Sequence, residues 1–420
     1  MTNTIQSHSS RNLDEWLSYL ESIHSTEIDM GLERISKVAQ QLAIEFTSTQ
    51  VITVAGTNGK GTTCTFLENA LLAEHHSVAV YSSPHIEKFN ERLRINKQDV
   101  DDKDFIVAFE QIEQTRGEIS LTYYEYTTLA ALLIVMAEKP DYAILEVGLG
   151  GRLDATNIID ADIAVITTVD LDHQVFLGDN RESIGFEKAG IMRKGQRVVI
   201  GDQQPPQSVL AHARKLNTQL YIRDVDFNIE VKALENHWCW QSQNFTYKKL
   251  PQAFIPRDNI ATAIMVLELL AIQLDEKKLA QLISSTKVAG RTEMVEGHCK
   301  IMLDVGHNPL AARYLAEQIR LIPATKVHAV VAMLADKDIL NTLAPLLQSV
   351  DSWYMASLNV PRGAKANVLE SHVSNHAKQL LTFDNVNDAY KMALSKAKES
   401  DLILVFGSFF TVAQVKAFIK

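Results

Sequence analysis

Hydrophobic and polar positions along this chain alternate in two rhythms, one helical and one extended. Leu13, Trp16, Leu17, Leu20 and Ile23 recur at helical spacing, and Leu32, Ile35, Val38 and Leu42 do so again. The polar stretch STEIDMGLER between them reads as a loop, and residues 1–10 as a frayed end. An apolar strand, VITVAG, then meets a glycine-rich turn and a helix from about Thr62 to Ala73. SVAVYSSPH is a second strand with its loop, and YEYTTLAALLIVMAE a buried helix. DYAILEVGLGG, IAVITTVDLDH and RVVIGD are further strands, residues 204–250 read as mixed short strands, and RDNIATAIMVLELLAIQL is a long helix. Strands alternating with helices predict an α/β fold whose mostly parallel sheet is covered on both faces.

Near KVAGRTEMVEGHC the alternation breaks off, and it restarts with KIMLDVG, a helix from Pro309, KVHAVVAML, a helix from Asp336, SWYMAS, two more helices and LILVFGS. This predicts two domains, residues 1–290 and 291–420, as suits a chain of 420 residues. The net charge of −10 speaks against a nucleic-acid partner, which needs a basic face. It also means that an anionic ligand must be held by individual local cations. No apolar run approaches the ~20 residues that span a bilayer, and the N-terminus lacks the apolar core of a signal peptide. Cys64, Cys239 and Cys299 form no disulfide framework and no metal-ligand spacing, so the expected compartment is the cytoplasm.

The chemistry begins at the first strand end. GTNGKGTT departs from the strict phosphate-loop pattern GxxxxGK[ST]: Gly61 follows Lys60, and the hydroxyls of Thr62 and Thr63 come one place late. The physics survives the shift. Gly56, Gly59 and Gly61 permit close backbone approach, successive N–H groups and a helix N-terminus face the phosphates, and Lys60 supplies charge. The implied ligand is a nucleoside triphosphate, ATP with Mg2+. Asn96 to Asp99 spell the guanine-reading word NKxD, but they lie between charged segments rather than after a buried strand, and read as a solvated turn. Glu146 closes an apolar strand, where a carboxylate can hold Mg2+; its alternative is a surface ion pair. Asp170, Asp172 and His173 close another, and His173 is either a structural histidine or a second metal ligand. Lys188 is either a solvated cation or, if desolvated, a lysine of lowered pKa open to modification. Asp304 is a helix-cap candidate, His307 and Asn308 belong to the same helix start, and Arg291 stands in the presumed hinge.

Taken in order, GLER, VAGTNGKGTT, YSSPH, ERLRI, LTYYEYTTLAAL, ILEVGLGGRLDATN, DHQVFLG, IGFEKAGI, GRTE, DVGHNP, MLADKD and GSFFTV resemble the folylpolyglutamate synthase/dihydrofolate synthase branch of the Mur ligase superfamily. The resemblance runs from about Trp16 to the C-terminus and is nearest to the bifunctional bacterial layout. It implies a P-loop ATPase domain followed by a smaller Rossmann-like α/β ligase domain. It also implies a two-step ligation: ATP phosphorylates a pterin-linked carboxylate, and L-glutamate displaces the phosphate. The implied substrates are dihydropteroate and tetrahydrofolate, and the implied form is a monomer without nucleic-acid or membrane partners. Carried over residue by residue, Thr57, Asn58, Gly59, Lys60, Gly61 and Thr62 would bind ATP phosphates. Asn259, Arg291 and Asp304 would contact the rest of ATP. Ser83 and Glu146 would hold one Mg2+ and His173 a second, with Lys188 carbamylated in support. Lys60, Lys188, His173 and His307 would be catalytic. The pterin would lie among Asp29, Met30 and Gly31, Thr122, Tyr123, Tyr124 and Glu125, and Leu153, Asp154 and Ala155, with Tyr123 and Tyr124 flanking its ring. Gln174 and Val175 depart from the threonine and acidic residue of the family pattern, and Gly306 from its alanine.

Three alternatives make different demands. A ligase of cell-wall nucleotide precursors carries a nucleotide-sugar domain before the loop, where this chain has 55 residues of helical pattern. A monofunctional folate enzyme would perform only one of the two ligations. A regulatory nucleotide switch would have no need of a second domain with its own DVGHNP turn.

Overall fold

The computed structural model describes residues 11–419 except 25, 27, 233–236 and 374–376; the frayed end expected over residues 1–10 lies outside the described residues. Three sheets organise the described residues. The first contains β1 (Gln50–Ala55), β2 (Val78–Tyr81), β3 (Leu93–Ile95), β4 (Gln98–Asp99), β5 (Tyr142–Glu146), β6 (Ile163–Ile166), β7 (Arg197–Ile200) and β8 (Gln219–Ile222), in the order β4-β3-β2-β5-β1-β6-β7-β8. The six strands from β2 to β8 pair in parallel, and β3 and β4 add an antiparallel edge. Val51 and Ala55 face one side of the sheet and Ile52 and Val54 the other. Both faces are covered, which is why β1 reads as an unbroken apolar run.

On one face lie the helices Leu13–Ser22, Glu33–Gln41, Asp102–Arg116 and Tyr123–Glu138, and further along the same face Arg181–Ala189 and Gln207–Lys215. On the other lie Lys60–Ala73, Arg257–Leu269 and Glu276–Ser285, together with a small antiparallel sheet of β9 (Phe227–Lys232), β10 (His237–Ser242) and β11 (Thr246–Leu250). Gln207–Lys215 corrects the reading of residues 204–250 as strands only. Its apolar contacts reduce to Val209, Ala213 and the half-buried Leu210, too sparse a stripe to stand out in a polar stretch. In the NKxD segment Asn96 and Lys97, both left-handed (φ 51° and 66°), form the two-residue turn of the β3–β4 hairpin, and Gln98 and Asp99 are β4. That geometry is a hairpin tip and not a base-reading loop.

The third sheet has β12 (Glu293–Val295), β13 (Lys300–Asp304), β14 (Val327–Val331), β15 (Ser352–Ala356), β16 (Gln379–Phe383) and β17 (Leu402–Phe406), in the order β12-β13-β17-β14-β15-β16. All pairs but β12–β13 are parallel. The helix read from Asp336 is one short piece, Ile339–Leu343. Between the first and third sheets the chain turns at Gly290, whose φ of +63° suits glycine. A Cβ there would come within 2.8 Å of Val305 Cγ1, so the hinge lies tight against the second domain.

Candidate active site

The carboxyl ends of β1, β5 and β6 lie side by side at the centre of the first sheet, where parallel sheets gather ligands. From β1 springs the Gly56–Thr63 loop. Gly59 is left-handed (φ +87°) and caps the helix Lys60–Ala73. A Cβ on Gly59 would fall 2.4 Å from Asn259 Oδ1. The loop is held from behind: Thr57 N donates to Thr168 O at 2.8 Å, Thr57 Oγ1 to Asp170 O at 2.9 Å, and Thr167 Oγ1 to Asn58 O at 2.6 Å. Asn259 Nδ2 donates to Thr62 Oγ1 at 2.6 Å, and Lys60 Nζ folds back onto Gly56 O at 3.0 Å. Burial pushes the Lys60 ammonium down, and Glu146 opposes that shift.

Three cavities meet around this loop. One of about 190 Å3 is bordered by Asn58, Gly59, Gly61, Thr62, Asn259, Arg291 and Asp304, with the unforeseen Thr168 and Tyr314. The sequence-derived nucleotide residues from both domains therefore share one wall. Thr57 and Lys60 are not among its lining residues. Asp304 is an organiser as well: its oxygens accept from Thr292 N at 2.8 Å and Gly306 N at 2.7 Å. A cleft of about 480 Å3 follows, with Gly61, Ser83, Glu146 and Arg291 among its walls. Burial raises the Glu146 carboxyl, opposed by Lys60, Arg291 and Arg94. Glu146 is 6% exposed, and among the described residues no hydrogen bond reaches its oxygens. A buried, unpartnered carboxylate beside a serine hydroxyl and a phosphate loop is the donor set of a hard divalent cation.

The third cavity, about 230 Å3, is walled by Asp29, Met30, Gly31, Thr122, Tyr124, Glu125, Leu153, Asp154 and Ala155, with Ser83 and the unforeseen Arg92. Tyr123 is the exception among the expected residues. Successive helical residues point about 100° apart, so Tyr123 turns to Arg92 (5.5 Å) and Phe89 (6.4 Å) while Tyr124 stacks on Tyr81 at 6.3 Å. Tyr123 and Tyr124 thus do not form two walls of one slot. Three polar members have structural work of their own. Thr122 and Glu125 form the capping box of the helix Tyr123–Glu138. Asp154 accepts from Gly148 N, Leu149 N, Thr156 N and Thr156 Oγ1, which fixes the glycine turn.

Across the loop from Glu146, Asp172, His173 and His307 converge so that one donor atom from each lies within 4.8 Å of the others. Burial depresses His173 to about 4 and leaves it neutral at pH 7, with Nδ1 buried and without a hydrogen-bond partner among the described residues. His307 Nδ1 bonds Val305 O at 2.9 Å, so its Nε2 faces Asp172 Oδ2 at 3.5 Å. Two residues that the sequence did not single out as site residues complete the cluster. Lys337 Nζ lies 2.7 Å from Asp172 Oδ1 and 3.2 Å from His173 Nε2. Asn308 donates to Asp172 Oδ2 at 3.0 Å and exchanges amide bonds with Asn58 at 2.9 Å. Burial alone would raise the Asp172 carboxyl; His307, Lys337 and His173 outweigh it and hold Asp172 well below the usual carboxylate range. Lys188 projects from the helix Arg181–Ala189, is 3% exposed, and is lowered to about 7 by burial and Lys60. The solvated-cation reading of Lys188 is therefore excluded.

A nucleotide-type loop roofed by a second α/β domain is matched by two family models: Mur ligase middle domain over residues 54–260, and Mur ligase, glutamate ligase domain over residues 290–409. Fold and site thus define a Mur-type ligase. Within that class the chain is 44% identical to the dihydrofolate synthase/folylpolyglutamate synthase of Escherichia coli (strain K12), over 96% of this chain and 94% of that protein. It superposes on E. coli FolC in complex with DHPP and ADP with a TM-score of 0.93, at 43% identity and 98% coverage of both chains. A bifunctional folylpolyglutamate synthase/dihydrofolate synthase with Mn, AMPPNP and L-glutamate bound gives 0.91, at 45% identity and 98% coverage of both chains. The chain belongs to the dihydrofolate synthase/folylpolyglutamate synthase family.

Proposed function

We propose that this chain uses ATP to join L-glutamate to dihydropteroate, forming dihydrofolate, and to tetrahydrofolate, extending its glutamate tail. The observation that carries the reading is a set of shared walls. Gly61 borders both the nucleotide-type cavity and the central cleft, and Ser83 with Pro84 borders both the cleft and the third cavity. A terminal phosphate entering from one side and an acceptor carboxylate from the other would meet beside Glu146.

A carboxylate resists amines until it carries a leaving group. Transfer of the ATP γ-phosphoryl to a carboxylate oxygen supplies one, as an acyl phosphate. The glutamate amine then attacks the carbonyl carbon, phosphate departs with the C–O electron pair, and the amine loses its proton. In this proposal the backbone from Thr57 to Thr62 and Lys60 hold the phosphates, and Asn259, Arg291 and Asp304 position the rest of the nucleotide. Ser83 and Glu146 would hold one divalent cation, and His173 a second with Asp172 and His307. Such cations supply neutralising charge to the transferring phosphoryl group. The donors fit: Glu146 accepts no hydrogen bond among the described residues, and Asp172 Oδ2 and His307 Nε2, paired at 3.5 Å, are close enough to share a cation. Lys337 holds the other Asp172 oxygen, Oδ1, and lies 3.2 Å from His173 Nε2, so a second cation competes with its ammonium. Lys188, with its pKa near 7, has the free amine needed to form a carbamate with CO2, whose charge would serve that cation. Docking of the second domain, with a boundary at residue 290, aligns the reactants and excludes water.

We also propose that the chain works as a cytoplasmic monomer, which sedimentation velocity tests. For the reaction itself, mass spectrometry of two separate mixtures decides. ATP, Mg2+ and L-glutamate with dihydropteroate should give dihydrofolate, and with tetrahydrofolate a product one glutamate heavier. A gain in only one mixture makes the enzyme monofunctional, and a gain in neither removes the reading.

A further inference from the structure

The loop of residues 82–92, between β2 and β3, touches both domains and two of the three cavities. Its base is closed where Ser82 N donates to Arg92 O at 2.8 Å. Within it, Arg92 Nε donates to His85 Nδ1 at 2.9 Å. The Glu91 carboxylate accepts from three successive N–H groups, those of Ile86 at 2.7 Å, Glu87 at 2.9 Å and Lys88 at 2.8 Å. Bonds to an ionised acceptor are the strong ones, and three on one carboxylate leave the loop little freedom. Phe89 anchors it in the first domain, buried and 4.8 Å from the Phe105 ring.

Ile86 anchors the same loop in the second domain. It packs against the buried cluster that contains Val305 and Val412. A Cβ on Gly290 would fall 3.0 Å from Ile86 Cδ1 and 3.5 Å from Val412 Cγ1, so Ile86 occupies room that the missing side chain at Gly290 provides. Lys416 of the second domain adds a charged contact beside it, 3.7 Å from Glu87 and 2.9 Å from Glu293. Ser83 and Pro84, three and two positions before Ile86, are walls of both the central cleft and the third cavity, and Arg92 is a wall of the third.

We propose that Ile86 is a positioning residue for phosphoryl transfer: seated against the second domain, it holds the loop so that Ser83 stands at the cation site beside Glu146. The inference rests on the reading of Ser83 and Glu146 as cation ligands given under the proposed function. A ligand on a braced loop keeps its place at the cation, and residues that orient a metal ligand affect binding nearly as much as the ligand does. Because one end of the brace lies in the other domain, Ser83 is set only while the domains are docked. Phosphoryl transfer therefore waits until the cleft is closed to water.

The test is Mn2+ binding to the ADP complex of the full chain, read by electron paramagnetic resonance of the free ion, so that no turnover is needed. Ser83→Ala is the reference and should weaken Mn2+ by about 10-fold or more. Ile86→Ala should weaken it to a similar degree, with metal-free ADP affinity and the radius of gyration unchanged. Ile86→Val, which keeps most of the contact, should restore Mn2+ binding. Weakened Mn2+ in Ser83→Ala with wild-type binding in Ile86→Ala overturns the inference and leaves the proposed cation site standing. Wild-type binding in Ser83→Ala overturns that site and the inference with it. If Ile86→Ala loses ADP affinity in step with Mn2+, or expands in small-angle scattering, Ile86 is a plain domain contact and the inference fails. It fails also if Ile86→Val binds Mn2+ no better than Ile86→Ala.

Discussion

At the scale of single residues, burial decides the chemistry. Lys188 is a lysine whose folded pKa, about 7, lies far below the ordinary value. Its ammonium is disfavoured in the folded state, so the penalty is complete below pH 7 and is relieved as pH rises toward the unfolded value. Between pH 7 and 9 the unfolded chain keeps the proton that the folded chain releases, and the apoenzyme should gain roughly 2 kcal/mol of stability from this group alone. Urea unfolding at the two pH values should show that gain in the wild type and its loss in Lys188→Met; an equal gain in both would contradict the burial argument. The free amine present near pH 7 should also take up CO2, so bicarbonate should raise wild-type turnover and leave Lys188→Met unchanged. Glu146 is the acid counterpart, a carboxyl that burial raises even with Lys60, Arg291 and Arg94 opposing it. Glu146→Gln preserves shape and should lower kcat/KM by about 100-fold or more, with a higher Mg2+ requirement. An unchanged Mg2+ titration would remove Glu146 from the metal site.

At the scale of elements, the helix Tyr123–Glu138 couples fold to site. Its capping box ties Thr122 to Glu125, and its first turn carries Tyr124 into the third cavity. Thr122→Ala should cost about 1 kcal/mol of stability and raise KM for dihydropteroate more than it lowers kcat, because the chemistry lies elsewhere. Thermal melts and steady-state kinetics measure both, and a fall in kcat at unchanged KM would contradict the positioning role. This helix, though not its cap, was legible from sequence because it is apolar along an unbroken run and buried from Glu125 to Val135. So were β1, β5 and β6, whose unbroken apolar runs reflect cover on both faces. The edges were not. β16 has Leu381 and Thr382 exposed, and the helix Gln207–Lys215 buries too few apolar side chains to show a stripe. Periodicity reports burial, so elements at a sheet's rim or over a sparse contact leave little trace of it.

At the scale of the whole molecule, the docking of the two domains places residues that no local pattern joins. Lys337 reaches Asp172 across 165 positions of sequence, and Asn308 reaches Asn58 across 250. The phosphate loop, Glu146 and Asp304 could be read locally because each ends a strand; Lys337 could not, because its significance is an address in the other domain. Arg313 adds a more exposed bond to Asp170 at 2.8 Å, of the kind that contributes little. The Asp172–Lys337 pair is different, since both side chains are almost fully buried. Removing the lysine leaves a charge whose other partners are two histidines and an amide. Lys337→Met should therefore destabilise the docked arrangement by about 3–5 kcal/mol. Small-angle scattering should report a larger radius of gyration, and the 287–292 hinge should be cut faster by protease. The charge-neutral double variant Asp172→Asn with Lys337→Met should recover much of the compactness without recovering activity. If the single variant stays as compact as the wild type, the domains are held by their apolar contacts, and the ion pair serves the chemistry alone.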